Sequence, residues 1–219
     1  MPEILFNGSA GRLEGRYTPA QNPNAPIAVI MHPHPLHGGT MFNKVIHVMN
    51  QAFVNSGFAT MRFNFRGVGK SQGTYDDGVG ELSDAAAALD WMQAMHKNHG
   101  PIWVAGFSFG SWISMQLLMR RPEIAGFVSV APPANMYDFS FLAPCPCGGL
   151  LVQGDKDGIV PEKAVADLVG KLRAQRGKSA IDYRIIADGN HFFKDHEEQL
   201  LAELTDYLDV SQNYSLAAE

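Results

Sequence analysis

Residues 101–110 read Pro101-Ile102-Trp103-Val104-Ala105-Gly106-Phe107-Ser108-Phe109-Gly110, and they pass directly into the apolar stretch Trp112 to Met119. A short run that is apolar on both faces reads as a strand buried inside a parallel sheet, and the longer stretch behind it reads as a helix. The order is therefore strand, sharp turn, helix. Glycine at positions 106 and 110 removes the Cβ on either side of the turn. The backbone can then fold tightly enough to lift the Ser108 hydroxyl clear of the sheet, at the start of a helix. A bare Gly-X-Ser-X-Gly is a weak signal, and the strand before it and the helix after it give this one its weight.

Working outward, the same alternation covers the chain. Ile4 to Phe6 and Leu13 to Tyr17, separated by Asn7-Gly8, suggest an antiparallel start. Ile27 to Met31, Ala59 to Phe65, Ile102 to Ala105, Gly126 to Val130, Gly149 to Gln153 and Ile181 to Ile186 are further strand-length apolar runs. Between them, Val45, Val48, Met49, Ala52 and Phe53 recur at helical spacing, and Gly57 follows as a helix stop. Leu82, Ala85, Ala86 and Leu89 repeat the pattern, as do Val165, Leu168, Val169 and Leu172, and then Leu200, Leu204, Tyr207 and Leu208. Pro161-Glu162 suits a first helical turn. The expectation is one α/β domain over residues 1–219, a mostly parallel eight-stranded sheet with helices on both faces, with 211–219 as a frayed tail.

A serine hydroxyl is a poor nucleophile at neutral pH and needs a histidine to take its proton and a carboxylate to orient that histidine. Both residue types stand just past the carboxyl ends of apolar runs, where open α/β sheets bind ligands. Gly154-Asp155-Lys156-Asp157 follows one, and Asp188-Gly189-Asn190-His191-Phe192 follows another. Asp157 and His191 are the candidate acid and base; Asp155 and Asp188 read as turn formers, since aspartate closes turns through its own backbone.

These segments resemble the α/β-hydrolase superfamily, in particular its small lidless, dienelactone-hydrolase-like serine esterases. The likeness spans nearly the whole chain. Gly154-X-X-Asp157-X-X-Val160-Pro161 is similar to the family's acid loop, Gly189-Asn190-His191-Phe192 to its histidine loop, and Arg66-Gly67-Val68-Gly69-Lys70-Ser71 to its Arg-Gly-X-Gly-X-Ser turn. The chain order Ser108, Asp157, His191 is also that of the superfamily. Dienelactone hydrolases proper use cysteine at the elbow, so a serine there points to ordinary ester hydrolysis through an acyl-enzyme, with no cofactor.

The resemblance further implies an oxyanion hole built from the amide after the nucleophile and one from the loop after the third strand. Phe109 supplies the first. The loop reads His32-Pro33-His34-Pro35-Leu36-His37-Gly38-Gly39, in which the prolines have no N–H, so His34 is the second donor and Leu36 the fallback. Phe107, Tyr137 and Phe192 are candidate substrate-binding residues, and Phe109, Phe139 and Phe141 are further candidates for an apolar wall, though each fills a plain core equally well.

Three histidines within six residues suggest a metal site, but alternate prolines stiffen the loop and no carboxylate cluster adjoins, so no metal is expected and His32 reads as a structural hydrogen-bonding residue. Arg66 reads as a brace of its turn, because the segment lacks the ending of a phosphate loop. Cys145-Pro146-Cys147 is too tightly spaced for an unstrained disulfide. The same triad would serve an amide or peptide hydrolase or an acyltransferase, and a different class altogether is a non-catalytic binding protein on a hydrolase scaffold.

Seventeen Lys plus Arg against 22 Asp plus Glu, a net charge of −5, and the lack of a basic stripe argue against nucleic acid. Apolar runs fall far short of the roughly 20 residues of a membrane helix, and the acidic start has no signal-peptide pattern, so a cytoplasmic protein is expected. The expected partner is a small-molecule ester, with no membrane and with a homodimer allowed. Four prolines between Ala131 and Cys147 argue against a helical lid.

Overall fold

Eight strands and five helices form because runs that are apolar on both faces leave water only when helices cover each side of the sheet they make. The structure, a computed structural model, describes residues 3–176 and 180–216. The strands are β1 (Glu3–Gly8), β2 (Gly11–Thr18), β3 (Ile27–Met31), β4 (Ala59–Phe63), β5 (Ile102–Phe107), β6 (Ile124–Val130), β7 (Gly148–Gly154) and β8 (Ile181–Ile186). The helices are α1 (Lys44–Asn55), α2 (Val79–Met95), α3 (Phe109–Arg120), α4 (Glu162–Arg176) and α5 (Glu197–Leu216). All eight strand expectations and all five helices are present, so the α/β-hydrolase architecture holds.

The sheet order is β1-β2-β4-β3-β5-β6-β7-β8. β1 pairs antiparallel with β2, and β2 antiparallel with β4; every pairing from β4 through β8 is parallel. One face of the sheet carries α2, α3 and α4, with Leu82, Leu89, Ile113, Leu117, Val165 and Leu172 in its core. The other carries α1 and α5, with Val45, Met49, Phe53, Leu200 and Leu204. From β3 the chain steps to β4 on one side and then back over to β5 on the other. That reversal opens a crevice at the carboxyl ends of β3 and β5, where the loop after β3 meets the turn after β5.

Local differences from the sequence reading have physical causes. β4 ends at Phe63 rather than Phe65; the Asn64 amide still bonds the Glu14 carbonyl of β2, while its side chain goes to the Met41 amide and the Glu14 carboxylate. The turn behind it is braced by Arg66, whose guanidinium forks onto buried Asp84 at 3.0 and 2.7 Å. α5 continues to Leu216, past Ser211 where the sequence pattern turns polar, and 217–219 lie outside the described residues. The connection from Ala131 to Cys147 contains no helix. Among the described residues no helix is long and apolar enough to cross a membrane.

Candidate active site

β5 stops at Phe107 and α3 starts at Phe109, so the whole change of direction falls on Ser108, which has φ 53° and ψ −121°. A non-glycine residue rarely holds that conformation, and it persists only where its surroundings enforce it. Here two backbone approaches enforce it. A Cβ at Gly106 would sit 2.2 Å from the Gly110 carbonyl, and one at Gly110 would sit 2.2 Å from the Met31 carbonyl oxygen. Glycine lets α3 press against β5 and β3 at once, and the serine hydroxyl is what projects.

The other two candidates come to it from β7 and β8. His191 Nε2 lies 3.1 Å from Ser108 Oγ, and His191 Nδ1 lies 2.7 Å from Asp157 Oδ2. All three are largely buried, at 8% exposure for Ser108, 8% for Asp157 and 5% for His191. With a carboxylate on Nδ1, the imidazole carries its proton there and turns the lone pair of Nε2 toward the serine. Asp157 Oδ1 accepts the amides of Ile159 and Val160, each at 2.8 Å, while Oδ2 also accepts Gln153 Nε2 at 2.9 Å. Burial drives this carboxyl up, but the hydrogen bond from His191 and the two amides outweigh it and hold it below the ordinary carboxylate value. Asp157 is an anion built into the base of the site.

Asp155, two residues away, points elsewhere: its Oδ1 accepts the Asp188 amide at 2.7 Å and ties the acid loop to the histidine loop. Asp188 sits at φ 57°, a turn position.

The loop after β3 forms a single 3-10 turn, Pro35–His37, capped by His34. His32 sets its direction. Its ring is fully buried, with Nδ1 at 2.6 Å from the Pro33 carbonyl and Nε2 accepting the Phe65 amide at 3.0 Å, and burial lowers its pKa to about 4. The Leu36 amide is bound to His34 Nδ1 at 3.2 Å, so that candidate donor is engaged. The amides of Phe109 and His34 meet no acceptor among the described residues, and both residues line the same cavity. His34 Nε2 faces the Tyr75 hydroxyl at 3.3 Å, and burial together with His37 holds its imidazole below the usual value.

That cavity holds about 430 Å³ above Ser108 and is walled by Pro33, His34, His37, Asn43, Pro133, Met136, Tyr137, Ile159 and Phe192. Tyr137 and Phe192 are therefore where the sequence reading put them. Phe107 is not: it is fully buried beneath His191, with ring centroids 5.1 Å apart, and backs the imidazole instead of facing ligand. The reason is strand alternation, which sends the residue before the elbow into the core on the α1 and α5 side. Phe139 and Phe141 stack on each other 6.0 Å apart and do not line this cavity. His37, Asn43, Met136, Ile159 and Gln153 are site residues that the sequence reading did not single out. For Gln153 a signal was present, a polar residue ending the apolar run Leu150-Leu151-Val152.

Against known proteins, the family described as X-Pro dipeptidyl-peptidase (S15 family) matches residues 15–207. An uncharacterized protein of Rickettsia prowazekii (strain Madrid E) is 51% identical over 218 residues, covering 98% of this chain and 92% of that protein. A crystal structure of a protein of unknown function from Agrobacterium tumefaciens, described as an α/β hydrolase, is 56% identical with a TM-score of 0.93 over 97% of each chain. A serine hydrolase without lid from Xanthomonas campestris is 32% identical with a TM-score of 0.84, covering 94% of this chain and 92% of that one.

Proposed function

Because the chain belongs to the X-Pro dipeptidyl-peptidase (S15) family, within the α/β-hydrolase superfamily, and is thus a hydrolase, we propose that it cleaves carboxylic esters of small molecules through an acyl-enzyme on Ser108. The observation that carries this reading is the unbroken line Asp157 Oδ2, His191, Ser108 Oγ, at 2.7 and 3.1 Å, with two uncommitted amides beside it. Ser108 Oγ attacks the ester carbonyl carbon while His191 Nε2 takes its proton. The carbonyl oxygen gathers negative charge between the amides of Phe109 and His34. As the carbon–oxygen bond to the alcohol breaks, His191 returns the proton to the departing alkoxide. A water, deprotonated by His191, then attacks the acyl group and releases the carboxylic acid and Ser108.

The family description raises a second reading, removal of an N-terminal X-Pro dipeptide. Such a substrate brings a free ammonium close to the scissile bond, and burying it needs a carboxylate. None lines the cavity among the described residues; Asp77, whose charge acts on His34, stands outside it. This favours an uncharged ester, met in the cytoplasm, over a dipeptide.

The test is one panel of p-nitrophenyl esters, thioesters and anilides, the last including X-Pro anilides with free and acetylated amino groups. Ester turnover is expected to dominate and Ser108→Ala to lower kcat by on the order of a millionfold. Faster cleavage of free X-Pro anilides than of any ester, or a Ser108→Ala protein keeping more than about a tenth of turnover, overturns the proposal.

A further inference from the structure

The last residue but one of β7 is Gln153, whose side chain is fully buried behind Asp157. Its Nε2 lies 2.9 Å from Asp157 Oδ2, 2.9 Å from the Val160 carbonyl and 3.3 Å from the Gly154 carbonyl. Three acceptors around one nitrogen settle which end of the amide is NH2, since a flipped carboxamide would set its oxygen against a carboxylate and two carbonyls. The other end is left without compensation: Gln153 Oε1 is buried and has no hydrogen-bond partner among the described residues. A buried, unpartnered carbonyl opposes folding, so an apolar side chain would be the better choice at this strand end if packing were all that mattered. What the glutamine adds is its second N–H, placed on the oxygen that His191 uses.

We propose that Gln153 is a positioning residue for the hydrolytic reaction, which holds Asp157 Oδ2 in line with His191 Nδ1 and limits how strongly the carboxylate stabilises the protonated imidazole. The inference rests on the Ser108 reading given above. Four donors then saturate the carboxylate: His191 and Gln153 on Oδ2, Ile159 and Val160 on Oδ1. The bond from Gln153 to the Val160 carbonyl closes the acid loop over the same group, so one carboxamide fixes both the position and the charge of the acid. The site needs this because His191 must accept a proton from Ser108 and give it up again within one cycle, and a carboxylate with fewer donors would hold the imidazolium too tightly.

Removing the Gln153 N–H leaves more negative charge on Oδ2, stabilises protonated His191 and raises the pH at which the base becomes available. Asp155, Lys156 and Asp188 flank the pair on its own loops and His34 and His37 face it across the cavity; all are unchanged in the variants compared, so their influence cancels.

The experiment compares the pH dependence of kcat/KM for p-nitrophenyl acetate in wild type, Gln153→Met and the near-isosteric Gln153→Glu, with Ser108→Ala alongside. Expected are an acid limb moved up by about one pH unit in Gln153→Met, a kcat lowered about tenfold or more and an unchanged KM, with limb and kcat largely restored in Gln153→Glu, whose buried carboxyl keeps its proton beside Asp157 and donates it to Oδ2. If Gln153→Met fails to fold, Gln153→Leu, which also lacks the N–H, carries the measurement. An acid limb that stays in place, or a loss confined to KM, overturns the role of Gln153 while the Ser108 reading stands. Activity persisting in Ser108→Ala removes both.

Discussion

At the scale of single residues, the two aspartates of the acid loop show how distance in space overrides distance in sequence. Asp157 bonds His191, whereas Asp155 bonds the Asp188 amide and never approaches the imidazole. Asp157→Asn is therefore expected to lower kcat on the order of a thousandfold or more, through an imidazole held in the wrong tautomer, while Asp155→Asn affects chiefly thermal stability. Steady-state kinetics beside a melting curve for each variant checks this, and the reverse ranking would move the acid to Asp155. His32 supplies a pH dependence of a different kind. Buried in its neutral form with a pKa near 4 against an ordinary 6.5, it binds no proton in the folded state where the unfolded chain binds one. Stability is thus whole above about pH 6.5 and falls as the pH drops from there to about 4, by on the order of 3 kcal/mol from this residue. Urea unfolding across that range should show the decline in wild type and a shallower one in His32→Gln.

At the scale of elements, the junction of β3, β5 and α3 is where the packing contacts and the proposed nucleophile share the same backbone. Gly110→Ala would set a methyl 2.2 Å from the Met31 carbonyl oxygen and 2.6 Å from that of His32, both main-chain atoms that cannot swing aside. We expect a loss of about 2 kcal/mol or more, and a fall in kcat because the loop carrying His34 is pushed off the elbow. Gly170, in the middle of α4, offers the contrast. It has nothing within 4 Å of where a Cβ would stand, so Gly170→Ala should stabilise by up to about 1 kcal/mol and leave kcat alone. Melting temperatures of the two variants moving in the same direction would contradict this reading of the elbow.

At the scale of the whole molecule, the stretch from Ala131 to Cys147 joins β6 to β7 without a helix, and the cavity above Ser108 measures about 430 Å³, toward the small end for ligand sites. Its rim carries exposed Met136, Ile159 and Phe192. Such a shallow wall covers only a few methylenes, each contributing about 0.8 kcal/mol when fully buried, so affinity should stop rising early along an acyl series. Best activity is expected on esters of about two to six acyl carbons, with no rise in rate at a lipid surface. A p-nitrophenyl series peaking at twelve carbons or beyond, or a jump above the substrate's solubility limit, would show that the rim closes over longer chains.

The sheet, its helices and the three residues that meet at Ser108 were legible in the chain because each rests on a local rule. Apolar runs of strand length, helical spacing of Val45 to Phe53, and glycines around Ser108 act over a few neighbours and need no knowledge of the rest. Asp157 and His191 were legible because they follow strand ends, and ligand sites gather there. What lies across the fold was not. Phe107 and Phe109 flank Ser108 in the same aromatic pattern, yet one sits under His191 and the other lines the cavity, a difference made by which layer of helices each one meets. Which of the His34 and Leu36 amides is left without an acceptor likewise turned on the His34 ring claiming the Leu36 amide. The hold of Gln153 on Asp157 depends on how the acid loop folds back over the end of β7. Periodicity and turn chemistry are properties of neighbouring residues and are written along the chain; hydrogen-bond partners and the walls of a cavity are set between layers, and come into being only when the layers pack.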